Sequence, residues 1–143
     1  MSKGLNYIGI ARKSGTIETG EENTAMLVKS GKAKLVIVAS DTSPNAKKRA
    51  QGYVFSSAVP LVEIPYTKQE LSDITGKAGC SMAALTDIGL ASSFVSALKD
   101  EFGEEYESAA AELDAKRQKA AQRQKEAKAH QRNAKQGKRR KSV

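Results

Sequence analysis

The chain has 143 residues, with 24 Lys or Arg against 16 Asp or Glu, which gives a formal net charge of +8 and a pI of about 9.6. This length suits one globular domain and a tail, and the basic excess favours a polyanionic partner, with nucleic acid the leading candidate. No apolar run approaches the ~18 residues of a membrane span or forms the core of a signal peptide, so we expect a cytoplasmic protein outside the membrane.

Patterns typical of helix and strand alternate along the first half of the chain. Leu5, Ile8 and Ala11 recur at helical spacing, and "KSG" then ends this first helix with a cation and a glycine. "TIET" predicts a short strand. Residues 21–30 predict a second helix, with acids in its first turn and Gly31 just beyond its end. The apolar run "KLVIVAS" predicts a central strand that is covered on both faces.

The alternation continues to residue 103. Asp41 or Ser43 can cap a third helix, which has Pro44 at its first position and continues through "NAKKRAQGYVFSS". "VPLVEIP" predicts the next strand, Thr67 and Glu70 match the capping box of a short fourth helix, and "CSMAALT" predicts the last strand. An apolar stripe then marks a closing helix: Ile88, Ala91, Val95, Leu98 and Phe102. The predicted class is α/β, a three-layer α/β/α sandwich with a mixed sheet of about four strands.

The charge distribution divides the chain into a domain of residues 1–103 and a low-complexity basic tail of residues 104–143. The domain has 12 basic and 10 acidic residues, whereas the tail has 12 basic and six acidic ones. Residues 104–132 have high helix propensity but nothing that can be buried, so we expect a fraying helix there and disorder over residues 133–143. The tail is either a solvated, solubilising segment or an arm that binds phosphates and becomes ordered on RNA.

Catalytic signatures are missing from the sequence. The glycines of "GTIETGEE" have the spacing of a phosphate-binding loop, but Glu21 and Glu22 stand where Lys and Ser or Thr are needed. Cys80 permits no internal disulfide and is expected to be a small buried residue. With the lone His130 far away in the tail, no zinc set is plausible. We expect no enzyme activity, no cofactor and no metal site.

The start of the second helix has chemistry suited to RNA. Gly20 lacks a Cβ, so its backbone can approach a ligand closely, and the amides of a helix start favour anionic oxygen. The carboxylate of Glu21 or Glu22 can accept hydrogen bonds from the N–H edge of an unpaired or sheared guanine. Asn23 offers a donor and an acceptor to a base edge. The alternative is that both acids only complement the helix dipole and that Asn23 is an ordinary first-turn residue.

The run "TGEENTAMLVKSGKAKLVIVASDTSP", with "YTKQELSDITG" downstream, resembles the kink-turn-binding ribosomal proteins, the L-seven-Ae and L-thirty-e group, and especially its small bacterial members. The similarity spans about Leu5 to Phe102. It implies an α/β/α sandwich without catalysis that binds RNA folded into a sharply bent internal loop. The expected partner is structured RNA, first of all ribosomal RNA, and the ribosome is a further possibility. We expect the protein to be a monomer when it is free.

The resemblance also implies a contact surface at the start of the second helix. The family's motif Gly-x-Asn-Glu-x-x-Lys falls on residues 20–26 of this chain. The amide and the carboxylate are exchanged here, as Glu22 and Asn23, and Met26 stands where the family has lysine. The RNA-contacting residues implied at this helix start are Gly20, Glu21, Glu22 and Asn23.

The family's second contact loop falls on "KAGC", immediately before the last strand. Lys77 would meet phosphate, while Ala78 and Gly79 would admit an extruded base; the alternative is a tight helix-to-strand turn. Arg12 and Lys13 at the end of the first helix could add backbone contacts or only complement the helix dipole. The alternative function is a protein-interaction adaptor on the same fold, with non-specific RNA binding through the tail.

Overall fold

The computed structural model describes the backbone of residues 2–141 and the side chains of residues 2–131. Its single sheet has four strands, in the spatial order β1, β4, β2, β3. β2 and β3 pair in parallel, whereas β4 is antiparallel to both of its neighbours, so the sheet is mixed as predicted. The strands are β1 Ile17–Thr19, β2 Leu35–Val38, β3 Leu61–Glu63 and β4 Met82–Leu85.

Helices cover both faces of this sheet. Side chains alternate between the two faces of a strand, so in β2 Leu35 and Ile37 enter one hydrophobic cluster and Val36 and Val38 the other. The first cluster lies under α1, α4 and α5, and the second under α2 and α3, which confirms the predicted α/β/α sandwich. The α-helices are α1 Lys3–Ser14, α2 Glu21–Lys29, α3 Pro44–Val54, α4 Lys68–Thr75, α5 Ile88–Phe102 and α6 Glu107–Lys141.

Capping residues set the starts of α3 and α4. The Ser43 hydroxyl accepts a hydrogen bond from the Ala46 N–H at 3.2 Å, so Ser43 rather than Asp41 caps α3. The Asp41 carboxylate instead accepts from the Lys68 N–H at 2.8 Å, at the first residue of α4. The capping box predicted at residues 67–70 is present. The sequence places the end of α3 at Ser57, but it ends at Val54 because the Ser57 hydroxyl and N–H both bond the Val54 carbonyl.

The prediction that nothing in residues 104–132 can be buried is wrong. Tyr106, Ala110 and Leu113 are buried, and their spacing of four and three residues places them on one face that packs against α5 and the core. The Tyr106 hydroxyl donates to the Glu63 carbonyl at 3.1 Å, and desolvation, reinforced by nearby Glu105, raises the pKa of Tyr106 to about 12. The first turns of α6 therefore belong to the folded body.

Beyond Leu113 the helix continues without burying another large apolar side chain up to residue 131. The expected disorder from Asn133 differs from the observed backbone, which is helical as far as Lys141. Ser142 and Val143 of that expectation lie outside the described residues. The backbone of residues 124–141 is helical over about 27 Å.

Leu113→Ala tests whether α6 is part of the core. Because Leu113 is fully buried, we expect its truncation to lower the free energy of unfolding by about 2 to 5 kcal/mol, measured by urea denaturation. Gln124→Ala, at an exposed position on the same helix, should change it by less than about 0.5 kcal/mol. Equal stabilities for the two variants would mean that α6 does not contribute to the fold.

Candidate nucleic-acid interface

Three helix starts meet at one edge of the sheet. β1, β2 and β3 run in the same direction because β4 is antiparallel to β1 and β2, while β2 and β3 are parallel. α2, α3 and α4 each begin just after the carboxyl end of one of these strands, and β4 begins at the same edge. We call this the helix-start edge; it comprises residues 19–22, 39–44, 64–68 and 77–82.

Gly20 connects the start of α2 to the start of β4. Its N–H donates to the Met82 carbonyl at 2.9 Å, which extends the β1–β4 pairing one residue beyond the Thr19–Ala83 pair. Its φ of 99° and ψ of 155° lie in a region that essentially only glycine adopts. A Cβ added there would meet nothing within 4 Å. The backbone conformation therefore requires glycine, and the space beside it is open.

The loop that leads into β4 is adjacent to Gly20. Gly79 precedes Met82, the hydrogen-bond partner of Gly20, by only three residues, and has a φ of 70°. The Ser72 hydroxyl accepts from the Cys80 N–H at 3.0 Å and so holds the end of the loop against α4. The loop residues predicted to contact RNA are all exposed: Lys77, Ala78 and Gly79. This geometry suits a tight turn as well as a contact loop.

The two acids at the start of α2 have different environments. Arg49 of α3 binds Glu21 with both ends of its guanidinium, with Nε 2.7 Å from Oε1 and Nη2 3.3 Å from Oε2, and this pairing raises the pKa of Arg49. Glu22 is exposed and forms no hydrogen bond or ion pair with any residue whose side chain the structure describes. Glu21 is thus engaged within the protein, whereas the Glu22 carboxylate faces solvent.

Arg49 was missed by sequence reasoning. It lies 28 residues from Glu21, on a different helix, and no motif or spacing in the sequence connects the two. Only the packing of α2 against α3 brings them together. Arg49 therefore places a cation at the helix-start edge that the family motif does not predict.

Asn23 and Met26 complete the exposed face of α2. The Asn23 side-chain amide donates to the Thr19 carbonyl at 3.0 Å, so it helps to fix the chain where β1 turns into the helix. Met26 lies one turn beyond Glu22, and 64% of its surface is exposed. The position at which the family has a lysine is therefore an exposed apolar surface in this protein.

The basic end of α1 lies beside the segment that leads into Lys77. The Arg12 guanidinium covers Gly76, where an added Cβ would lie 2.6 Å from Nη2, and it donates to the Ile74 carbonyl at 3.4 Å. Lys13 is exposed in the groove between α1 and α4. Within residues 2–131, neither acid of the α2 start forms a hydrogen bond or ion pair with residues 77–80. The predicted residues share one edge but are not bonded to one another across it.

Two further findings concern metal binding and membranes. Among the described side chains, no three His, Cys, Asp or Glu residues are grouped so that they could hold a metal ion. No helix within residues 2–141 is both long and apolar enough to cross a bilayer.

Cys80 is buried as predicted, and desolvation raises the pKa of its thiol, whose Sγ lies 3.8 Å from the Met82 carbonyl oxygen.

The fold and this edge define an α/β/α sandwich in which the uncapped start of α2 lies beside a small-residue loop. The chain belongs to the ribosomal protein L7Ae/L30e/S12e/Gadd45 family, which it matches over residues 2–95. It is 37% identical over 75 residues to the RNA-binding protein YlxQ of Enterococcus faecium, an alignment that covers 52% of this chain and 72% of YlxQ. It is 34% identical over 82 residues to the large ribosomal subunit protein eL30 of Methanopyrus kandleri. That alignment covers 56% of this chain and 75% of eL30.

Solved structures have the same fold. A protein of unknown function from Bacillus halodurans C superposes with a TM-score of 0.65 at 25% identity, covering 69% of this chain and 99% of that one. A 15.5 kD RNA binding protein of Giardia lamblia superposes with a TM-score of 0.54 at 21% identity, over 67% and 82% of the two chains. The second likeness concerns the fold alone.

Gly20→Ala tests the backbone requirement at the start of α2. Because Gly20 has a φ of 99°, we expect alanine to lower the free energy of unfolding by about 1 to 3 kcal/mol, measured by urea denaturation. Gly52→Ala is the matched control: Gly52 is helical, has open space around it, and should gain about 0.5 to 1 kcal/mol. A Gly20→Ala protein as stable as the wild type would show that the edge has no special backbone.

Proposed function

We propose that this chain is a non-catalytic, ribosome-associated RNA-binding protein that recognises bent, kink-turn-like RNA at the helix-start edge. Membership of the family and the relatives named for RNA binding and for the large ribosomal subunit support the general assignment. The observation that carries the site is the Gly20–Met82 hydrogen bond, because it holds the start of α2 next to the loop that leads into β4. Ribosomal RNA in the cytoplasm is the leading partner.

The chemistry of the edge suits phosphate oxygens and an unpaired base. The start of α2 has no side-chain cap, so it exposes backbone amides and the positive end of its dipole, whereas side chains cap the starts of α3 and α4. Gly20 leaves room for the RNA backbone, and Lys77 supplies a cation on the adjacent loop. Bent RNA presents bases outside the regular stack, which a uniform duplex does not. The edge therefore recognises the shape of the RNA rather than a long sequence.

Glu22 rather than Glu21 reads the base in this proposal. Both oxygens of Glu21 already accept from Arg49, so a guanine would have to break that pair, whereas the exposed Glu22 carboxylate can accept directly. Arg49 brings a cation from α3 to the start of α2, where it is paired with Glu21.

The tail adds affinity without selectivity. Cations on a solvent-exposed helix attract the phosphates of any RNA and release counterions when they bind. In this proposal the folded body, which includes the first turns of α6, recognises the shape of the RNA. The segment from Lys116 onward binds phosphates.

Glu22→Gln is expected to reduce the preference for bent RNA over a plain duplex. The carboxylate accepts two N–H groups of a guanine and the amide accepts less well, so the preference should fall by about 1 to 3 kcal/mol if base contacts in DNA are a guide. Binding to both RNAs is measured by fluorescence anisotropy. Glu18→Gln is the control, because it makes the same change at an exposed position of β1, two residues before Gly20.

If Glu22→Gln and Glu18→Gln leave the preference equally unchanged, the assignment of the base contact to Glu22 fails. If the wild-type protein binds both RNAs equally, the adaptor function on the same fold is favoured instead. The two results are distinct because the first concerns the variants and the second the wild-type protein.

A chain that ends at Ala115 tests the role of the tail. It keeps Tyr106, Ala110 and Leu113, so the core should remain folded by circular dichroism. We expect weaker binding to bent RNA and to duplex alike, with a shallower dependence of log K on log salt, because fewer phosphates are neutralised. Loss of the preference itself on truncation would mean that the tail, not the helix-start edge, selects the RNA.

A further inference from the structure

A second basic surface lies at the edge of the sheet opposite to the helix-start edge. There a cleft of about 380 Å³ opens between α6 and the segments where β2 and β3 begin. We call it the basic cleft. Its lining includes four cations, Lys34, Lys116, Lys119 and Arg123, and no acidic residue.

The cleft has a defined construction. Its floor is apolar and includes Val28, Val59 and Ile88, whereas its cations come from the chain before β2 and from α6. The Lys116 ammonium donates to the Ala58 carbonyl, which holds α6 across the opening, and it also pairs with Glu112 of the same helix at 3.2 Å. Lys116 is therefore a structural contact, and the binding capacity lies with the other three cations.

These three cations have no internal counterpart. Within the part of the chain whose side chains are described, Lys34, Lys119 and Arg123 form no ion pair and no side-chain hydrogen bond. Three uncompensated cations around one apolar cleft attract an anionic ligand that also has an apolar portion. A nucleotide strand, with phosphates outside and base faces inside, has this combination.

An exposed aromatic residue comes shortly before one of the segments that line the cleft. Phe55, at the end of α3, is 89% exposed, and it precedes the cleft-lining residue Ser57 by two positions. A phenylalanine so exposed contributes almost nothing to folding, but its ring is available for a base to stack on. Aromatic rings beside a cationic groove are how proteins hold single-stranded nucleic acid.

We propose that the basic cleft, together with the exposed Phe55, binds a short segment of single-stranded RNA. A duplex is disfavoured because stacking on Phe55 requires an unstacked base. The segment's phosphates pair with Lys34, Lys119 and Arg123, and one base stacks on the Phe55 ring. This inference does not depend on the function proposed for the helix-start edge.

The position of the cleft relative to the helix-start edge follows from the length of the strands. The strands that separate the two edges are three or four residues long, about 10 to 13 Å, and the surfaces face away from each other. The basic cleft is therefore a surface separate from the helix-start edge.

The test uses the full-length protein and a fluorescein-labelled 12-nucleotide uridine oligomer, with binding followed by anisotropy over a range of salt concentrations. Lys119→Gln with Arg123→Gln removes two cleft cations; Lys125→Gln with Lys128→Gln removes two from the exposed continuation of the same helix. We expect the cleft variant to lose at least about fivefold in affinity and to flatten the salt slope by about 1.4. For the control variant, the fold-loss in affinity and the change in salt slope should each be less than half of those of the cleft variant.

Phe55→Ala supplies an independent arm, because the exposed side chain can be removed without disturbing the core. Loss of a base-stacking platform should weaken oligomer binding at least about fivefold while leaving the salt slope unchanged. The proposal is overturned if the two charge variants behave alike, if Phe55→Ala binds like the wild type, or if a polyglutamate peptide binds the cleft more tightly than the oligomer. None of these results bears on bent-RNA selectivity, which is measured with a different ligand.

Discussion

The hydrogen bond from the Gly20 N–H to the Met82 carbonyl is the contact on which the account of this protein depends. It joins the end of β1 to the start of β4, which are 62 residues apart in the chain, and it is possible because glycine alone adopts the backbone conformation found there. The topology of the mixed sheet explains the remaining geometry. Three strands run in a common direction, so the three helices that follow them begin at the same edge, and the loop before the antiparallel β4 lies at that edge as well. Chain direction, rather than any side chain, creates the helix-start edge.

Charge is distributed differently at the two edges. At the helix-start edge, the uncapped start of α2 and a few cations, one of them paired with Glu21, face an open surface. At the opposite edge, side chains from α6 supply most of the cations. The helix lies along this edge because Tyr106, Ala110 and Leu113 anchor its beginning in the core. Packing therefore determines where the tail's charge is presented. A tail without that anchor would distribute the same charge over a wide volume and form no cleft.

The alternation of elements, the capping box and the central strand could be predicted because each depends on neighbouring residues. Ser43 and Asp41 were both plausible caps of α3 from sequence, and only the fold shows that Ser43 caps α3 while Asp41 accepts from the first N–H of α4. The burial of α6 was missed because two of its anchors are small or polar-tipped, although the four-and-three spacing of Tyr106, Ala110 and Leu113 was a usable signal. The Glu21–Arg49 pair and the basic cleft join residues with no fixed spacing, so neither could be predicted from the sequence.

The central claim is that one edge of the sheet receives bent RNA. The most direct measurement is the change in backbone amide chemical shifts of the ¹⁵N-labelled protein when an RNA with a single bent internal loop is added. The account predicts that the largest changes fall on Gly20, Glu22 and residues 77–79, with smaller ones along α6. Changes confined to α6 and the basic cleft, with the Gly20 and Gly79 amides unmoved, would contradict it.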